Sequence, residues 1–399
     1  MAFLVEDAGG AYNYISYFFL FLFGFAVVGY FANIFKLNLI RSFAIYIWHT
    51  FFAIFYGWYT INFGGDAVQY YLDAYYGEYN DVPLGIGTVG VTYLVGFLHV
   101  YLNLNFFGVC LVFNLFGTIG LLGFDGCLTK LAQYKTPFFK ILLSLIIFLP
   151  SISFWSAGIG KDSISFMAIG LCLYASMDVS KHFSMLVWSI LIMLFVRPHI
   201  AAIMFFSFAV AYLFSNKVSS KSRAIGLSGM ALTSLLLAPF VYNYIGFEAF
   251  DLETMQEYVE VRQGYNANDA TGVNLSDMNF AQQLTSYLFR PSLFEALSMG
   301  IFGLVAAFDN TLLIFFFLAG GFNLLFRPKL RNANYSKTLF SSSFLITHSL
   351  VTWTILAITT ANVGIALRQK WMFVPMLMIF FLIFIGEKKK KSNQVIHGS

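Results

Sequence analysis

Long apolar runs fill almost the whole chain, and the short polar clusters between them set its organisation. A hydrocarbon core of roughly 30 Å takes about 20 apolar residues of helix. On that measure the pattern predicts spans at 12–35, 42–61, 106–126, 141–159, 163–179, 183–196, 200–214, 224–246, 310–326, 339–360 and 371–386. Two more apolar stretches, 84–103 and 291–308, are broken by glycine or begin at proline and read as re-entrant or interfacial helices. The expectation is an all-α polytopic transmembrane bundle of about eleven spans. It forms one integral-membrane domain over 1–399, with a first outer loop and interfacial helix at 62–105. A large outer loop and interfacial helix at 247–309 and a basic cytoplasmic tail at 387–399 complete it.

Composition agrees with this pattern. Apolar residues make up 59% of the 399 positions and charged residues 11%, and the mean hydropathy is +0.75. Soluble domains carry about a quarter charged residues, so this chain has too few to cover a water-facing surface. Cys110, Cys127 and Cys172 lie in or beside apolar runs without metal-ligand spacing, and read as packing residues. Residues 1–10 have no basic region and carry Glu6 and Asp7, so the first apolar run is expected to stay as an anchor.

Net charge matters less than where the charges lie. With the N-terminus outside and the C-terminus inside, all but six of the 23 basic residues fall on the cytoplasmic side. Of the 19 acids only Asp125, Asp178 and Glu387 join them. That asymmetry is the usual orientation signal. The six basic residues that break it are Lys161, Arg197, Arg262, Arg290, Arg368 and Lys370, each in an outer turn or the large outer loop. Singly they read as loop charges; as a set they read as a converging cationic site.

The polar clusters supply the candidate chemistry. Gly64-Gly65-Asp66 closes the second span, so Asp66 can cap the next helix, act as a base or orient a hydroxyl. Phe154-Trp155-Ser-Ala-Gly158-Ile-Gly160-Lys161-Asp162 puts a Lys–Asp pair at a glycine-framed outer tip, where the two either neutralise each other or face a ligand. Its glycines lack the full spacing and strand context of a phosphate-binding loop, which argues against an ATP site. Arg197-Pro198-His199 sets an arginine between two apolar runs, where its planar fork suits an anionic partner. The 247–290 loop is expected to begin as an amphipathic surface helix and end as a flexible Asn/Gly/Asp-rich segment before Phe289-Arg290-Pro291. The last outer turn, Asn362 to Lys370, brings Asn362, Arg368, Gln369 and Lys370 together.

With these motifs the chain resembles bacterial O-antigen and exopolysaccharide repeat-unit polymerases, and in broader architecture the GT-C membrane glycosyltransferases. The resemblance rests on Gly65-Asp66-Ala67, Phe154 to Asp162, Arg197-Pro198, Phe289-Arg290-Pro291 and Asn362 to Lys370. It implies a bacterial inner-membrane enzyme that joins polyprenyl-pyrophosphate-linked oligosaccharides on the periplasmic face. Asp66, Arg197 and Arg368 would be catalytic. Lys161, Asp162, His199, Arg262, Arg290, Asn362, Gln369 and Lys370 would bind substrate, with no metal and no cofactor. The implied partners are the lipid-linked glycan, membrane lipid, a flippase and a chain-length regulator, and no nucleic acid. The chain departs from many GT-C enzymes in lacking a C-terminal soluble domain and an Asp-x-Asp acid pair. Two alternatives stay open: a GT-C transferase adding one sugar from a polyprenyl monophosphate, and a flippase for lipid-linked oligosaccharides.

Overall fold

The computed structural model describes residues 11–77, 85–214, 219, 221, 223–232, 235, 252–265, 275, 277–297, 299–326 and 341–386. Among them every regular element is helical, with no strand. In chain order these are α1 (Ala11–Phe35), α2 (Leu39–Phe63), α3 (Asp66–Tyr75), α4 (Thr88–Val100), α5 (Phe106–Ala132) and α6 (Pro137–Ile146). Next come α7 (Pro150–Ala157), α8 (Lys161–Ala175), α9 (Phe183–Val196), α10 (Pro198–Leu213), α11 (Leu252–Tyr265) and α12 (Phe280–Phe289). The last are α13 (Leu293–Ala296), α14 (Gly300–Phe326), α15 (Ser342–Thr359), α16 (Val363–Gln369), a 3-10 turn (Lys370–Met372) and α17 (Val374–Leu382).

Among the described residues, six helical segments have the length and apolar character to cross a membrane, and α16 to α17, bent by 62°, makes a seventh if counted as one span. Shorter apolar helices are α4, α9 and α10. On α1 the faces of Tyr14, Phe18, Phe19, Phe23 and Tyr30 are exposed, as expected of a helix bordered by lipid.

The core is α5, the most enclosed of the long helices. Gly117, Gly120, Gly123 and Gly126 recur every third residue along it and face α7 and α8. A Cβ on Gly120 would fall 2.6 Å from the Phe166 carbonyl oxygen, and one on Gly123 would fall 2.7 Å from that of Gly170. The absence of side chains there lets two helix backbones touch, the packing mode available where lipid removes the hydrophobic drive between helices.

Three expectations change. The stretch 291–308 is no separate interfacial helix: after the Ser292-capped α13, one unbroken helix runs Gly300–Phe326 through the expected boundary at 310. The run 371–386 is not straight, because the 3-10 turn and Phe373 interrupt it ahead of Pro375. The segment Leu252–Tyr265 is helical, but its apolar positions are spread around the helix instead of gathering on one face. Much of the expected span 224–246, the second half of the outer loop, Glu78 and Asp81, and the basic tail lie outside the described residues.

Candidate functional site

Glycine backbone places two carboxylates at helix starts. Gly64 and Gly65 turn the chain off α2 with φ of 84° and 152°, conformations that favour a residue without Cβ. Asp66 is thereby the first residue of α3. Gly160, with φ of 150°, does the same ahead of Lys161 and Asp162 in α8. A helix N-terminus favours negative charge in its first turn. Pro198 ends α9 and starts α10, leaving Arg197 between them with its N–H on the Met193 carbonyl. Asn362 caps α16 by accepting from Ile365 N–H at 3.1 Å, and Arg368 falls in that helix's last turn.

These ends meet. Arg368 Nη1 donates to Asp66 Oδ2 at 2.7 Å, and its Nε lies 2.9 Å from Asp162 Oδ2. Arg197 Nη2 donates to Asp162 Oδ1. Lys161 Nζ donates to Thr88 Oγ1 at 3.0 Å and feels the charges of Arg197, Asp162, Arg368 and Asp66. Five charges from four chain regions thus form one cluster, with three cations to two carboxylates. Arg197 is 5% exposed, and its buried Nε has no hydrogen-bond partner. A guanidinium donor left over beside a net positive cluster is suited to an incoming anion.

The electrostatics follow from the crowding. Burial raises the Asp66 carboxyl pKa, but Arg368, Lys161 and Arg197 outweigh it and hold the group below the usual carboxylate value. Lys161 sits in the turn ahead of the apolar run. Burial, with help from Arg197 and Arg368, pushes its ammonium down to about 8 against the pull of Asp162 and Asp66. A small recess with room for about one water molecule lies beside the cluster, lined by Trp155, Ser156, Asp162, Phe166, Arg368, Trp371 and Met372.

Other expected site residues lie elsewhere. Lys370, two positions after Arg368, is fully buried; its Nζ donates to Asn310 Oδ1 at 2.5 Å, and Asp309 is the charge it feels. The 3-10 turn carries it away from the cluster. Arg290 pairs with Glu295 at 3.0 Å within its own segment. Gln369 Oε1 accepts from Tyr287 Oη at 3.4 Å and Thr360 Oγ1 at 3.2 Å, tying α16 to α12. Asn362 acts as a helix cap, and His199 is half-buried in the first turn of α10. The Arg262 side chain lies outside the described residues.

The sequence reading missed two buried polar groups. Asp309, inside α14, accepts from Ser151 N–H through Oδ2 at 3.2 Å, while its buried Oδ1 has no hydrogen-bond partner. His49, inside α2, contacts Asn114 at 2.5 Å and Ser156 at 2.9 Å. Polar residues interrupting apolar runs at 49, 114 and 309–310 were the signal. Among the described residues, no group of three or more His, Cys, Asp or Glu side chains is placed to hold a metal. The chain matches no family model, no curated protein and no solved structure.

Proposed function

We propose that the chain is a bacterial inner-membrane glycan polymerase, joining polyprenyl-pyrophosphate-linked oligosaccharides at the end of the bundle that carries the charge cluster. In this reading that end faces outward, the N-terminus is outside, the C-terminus is inside, and the helices make about eleven crossings. The observation that carries the proposal is the excess of cations over carboxylates in one cluster, whose Arg368 and Asp162 line a small recess bordered by Trp155 and Trp371.

Cleaving the sugar–pyrophosphate bond leaves charge on the departing phosphate oxygens. Arg197, Arg368 and Lys161 stand ready to stabilise it, and preorganised donors of this kind are typically worth about 10²- to 10³-fold in rate each. Asp162 bridges the two guanidiniums, and Asp66 gives Arg368 a second hold that orients it. Asp66, already committed to Arg368, is better suited to holding it than to removing a proton. The test is purified protein in liposomes given a synthetic polyprenyl-pyrophosphate oligosaccharide. A ladder of repeats supports polymerisation, whereas a single added residue from a monophosphate donor would replace it with the one-sugar transferase.

A second reading, flipping of lipid-linked oligosaccharide, draws on the buried Asp309 and Lys370 beside the bent α16–α17 break. Broken helices with buried charges mark ion and substrate paths in transporters. Translocation of a labelled lipid-linked glycan across the liposome, without any bond made, would favour it.

A further inference from the structure

A groove of about 270 Å³ lies between α4, α5, α8 and α9, and every side chain lining it is aliphatic, aromatic or methionine. Trp188 and Leu191 of α9 are exposed along its mouth. In a chain read as membrane-embedded, that mouth opens to lipid. The groove also has a direction. On α8, Ile164 and Met167 follow Lys161 at intervals of three, which puts all three on one side of the helix. On α9, Phe195 stands two residues before Arg197, and Trp188 lies about 10 Å further in at 1.5 Å per residue. On α4, Thr88 holds Lys161 at 3.0 Å, and Leu94 lines the groove further along. One end of the groove therefore lies at the charge cluster. The wall there is fixed: Gly87 N–H donates to the Phe195 carbonyl at 2.8 Å, and a Cβ on Gly90 would fall 2.8 Å from the Phe195 ring.

We propose that this groove holds the hydrocarbon chain of the polyprenyl-pyrophosphate substrate, with the pyrophosphate drawn to Lys161 at its end. The inference rests on the polymerase reading and deepens it by giving the lipid half of the substrate a place of its own. Charge complementarity selects the occupant. The groove ends where three cations face two carboxylates, and α3, α4, α8 and α10 all begin there. Helix N-termini favour negative charge. A long apolar chain with a phosphate head satisfies the groove and the cluster at once. The choline or ethanolamine head of a zwitterionic phospholipid brings a cation to the same place and is disfavoured. The sugars, attached beyond the pyrophosphate, are carried past the cluster, so the small recess beside Trp155 and Trp371 does not have to admit them.

The experiment puts photoreactive benzoylphenylalanine in place of Leu191 and, in a second protein, in place of Leu318, an exposed site on α14 outside the groove. Each protein is illuminated in phosphatidylcholine nanodiscs with radiolabelled polyprenyl pyrophosphate. The groove predicts labelling at position 191 and not at 318, with no displacement by an equal amount of phosphatidylglycerol. Lys161→Met should raise the apparent Kd about tenfold, the worth of one charge-assisted hydrogen bond. Equal labelling at both positions, or labelling indifferent to Lys161→Met, overturns the proposal. Displacement by phosphatidylglycerol also overturns it and makes the groove a phospholipid site. A second measurement leaves the groove unaltered: brominated phosphatidylcholine quenches the tryptophan emission that is missing from Trp188→Phe. Polyprenyl pyrophosphate should restore that emission, and unchanged quenching overturns the groove. The liposome polymer assay separates the two levels. Polymer without labelling at 191 removes the groove and leaves the polymerase reading standing; labelling at 191 in a protein that makes no polymer keeps the groove and removes that reading.

Discussion

Two arginine–carboxylate sites lie at opposite ends of α2 and differ in how completely they are closed. Near its start, Arg41 grips Asp125 through two bonds, Nε–Oδ2 at 2.9 Å and Nη2–Oδ1 at 2.7 Å. Its remaining reach goes to Ser144, hydroxyl at 2.6 Å and carbonyl at 2.9 Å. That is a one-to-one pair whose arginine donates four hydrogen bonds, and it clamps α2, α5 and α6. Beyond the other end, about 35 Å along the helix at 1.5 Å per residue, Asp66 and Asp162 are shared among Arg368, Arg197 and Lys161. Nothing there is saturated. The same two residue types thus build a one-to-one clamp at one end and a cation-rich cluster at the other, and stoichiometry makes the difference.

Breaking the clamp should produce the largest effect on stability and the least specific one. Asp125→Ala leaves Arg41 without its buried partner, and losing one member of a buried pair costs about 3–5 kcal/mol. The expected result is a lower thermal midpoint in detergent and less protein in the membrane, with glycan product falling only in proportion to protein. Arg368→Ala sharpens the contrast from the other side. Polymer formation should drop about 10²- to 10³-fold while the thermal midpoint moves much less than in Asp125→Ala. If Arg368→Ala unfolds the protein as readily as the clamp variant does, the two ends are not different in kind.

A smaller effect tests the frame between them. Gly123→Ala forces a methyl against the Gly170 backbone and should cost about 1–3 kcal/mol, the range for overpacking, with kcat unchanged in the protein that folds. The finest test is pH. Raising pH through about 8 removes the Lys161 charge, so anion binding at the cluster should weaken there. Stability should move the other way. The folded pKa lies below the ordinary 10.5, so the unfolded chain keeps its proton longer and the Lys161 contribution to stability rises with pH across that window. Lys161→Met should abolish both slopes, read by phosphate-analogue binding and thermal melts.

Much of the cluster was legible because charge placement carries information that apolar runs do not. Lys161, Arg197 and Arg368 stood out as cations on the wrong side, and glycines marked the helix end ahead of Asp66 and the outer tip that carries Lys161 and Asp162. Lys370 stood out by the same rule and was misplaced by it. Its direction depends on a 3-10 turn and on Asn310, some sixty positions earlier, which no local pattern encodes. Arg290 was misplaced for the opposite reason: Glu295, only one turn on, satisfies it locally. His49 and Asn114 escaped notice because a lone polar residue in an apolar helix is uninformative until its neighbours are known. The extent of α14 was misread because Asp309 and Asn310 looked like a boundary and proved to be buried within a continuous helix.

The seven-residue α16 has a consequence for how the gene can change. Arg368 and Lys370 are anchored on different sides of one short segment, the first on Asp66 and the second on Asn310. Each residue added to or removed from a helix rotates everything beyond it by about 100°. An insertion ahead of Arg368 would therefore turn the guanidinium off its aspartates, and one between Arg368 and Lys370 would strand the ammonium in a dry interior. Substitutions along this segment can be tolerated one at a time, but its length cannot drift, and the turn acts as a fixed ruler between the charge cluster and the buried pair.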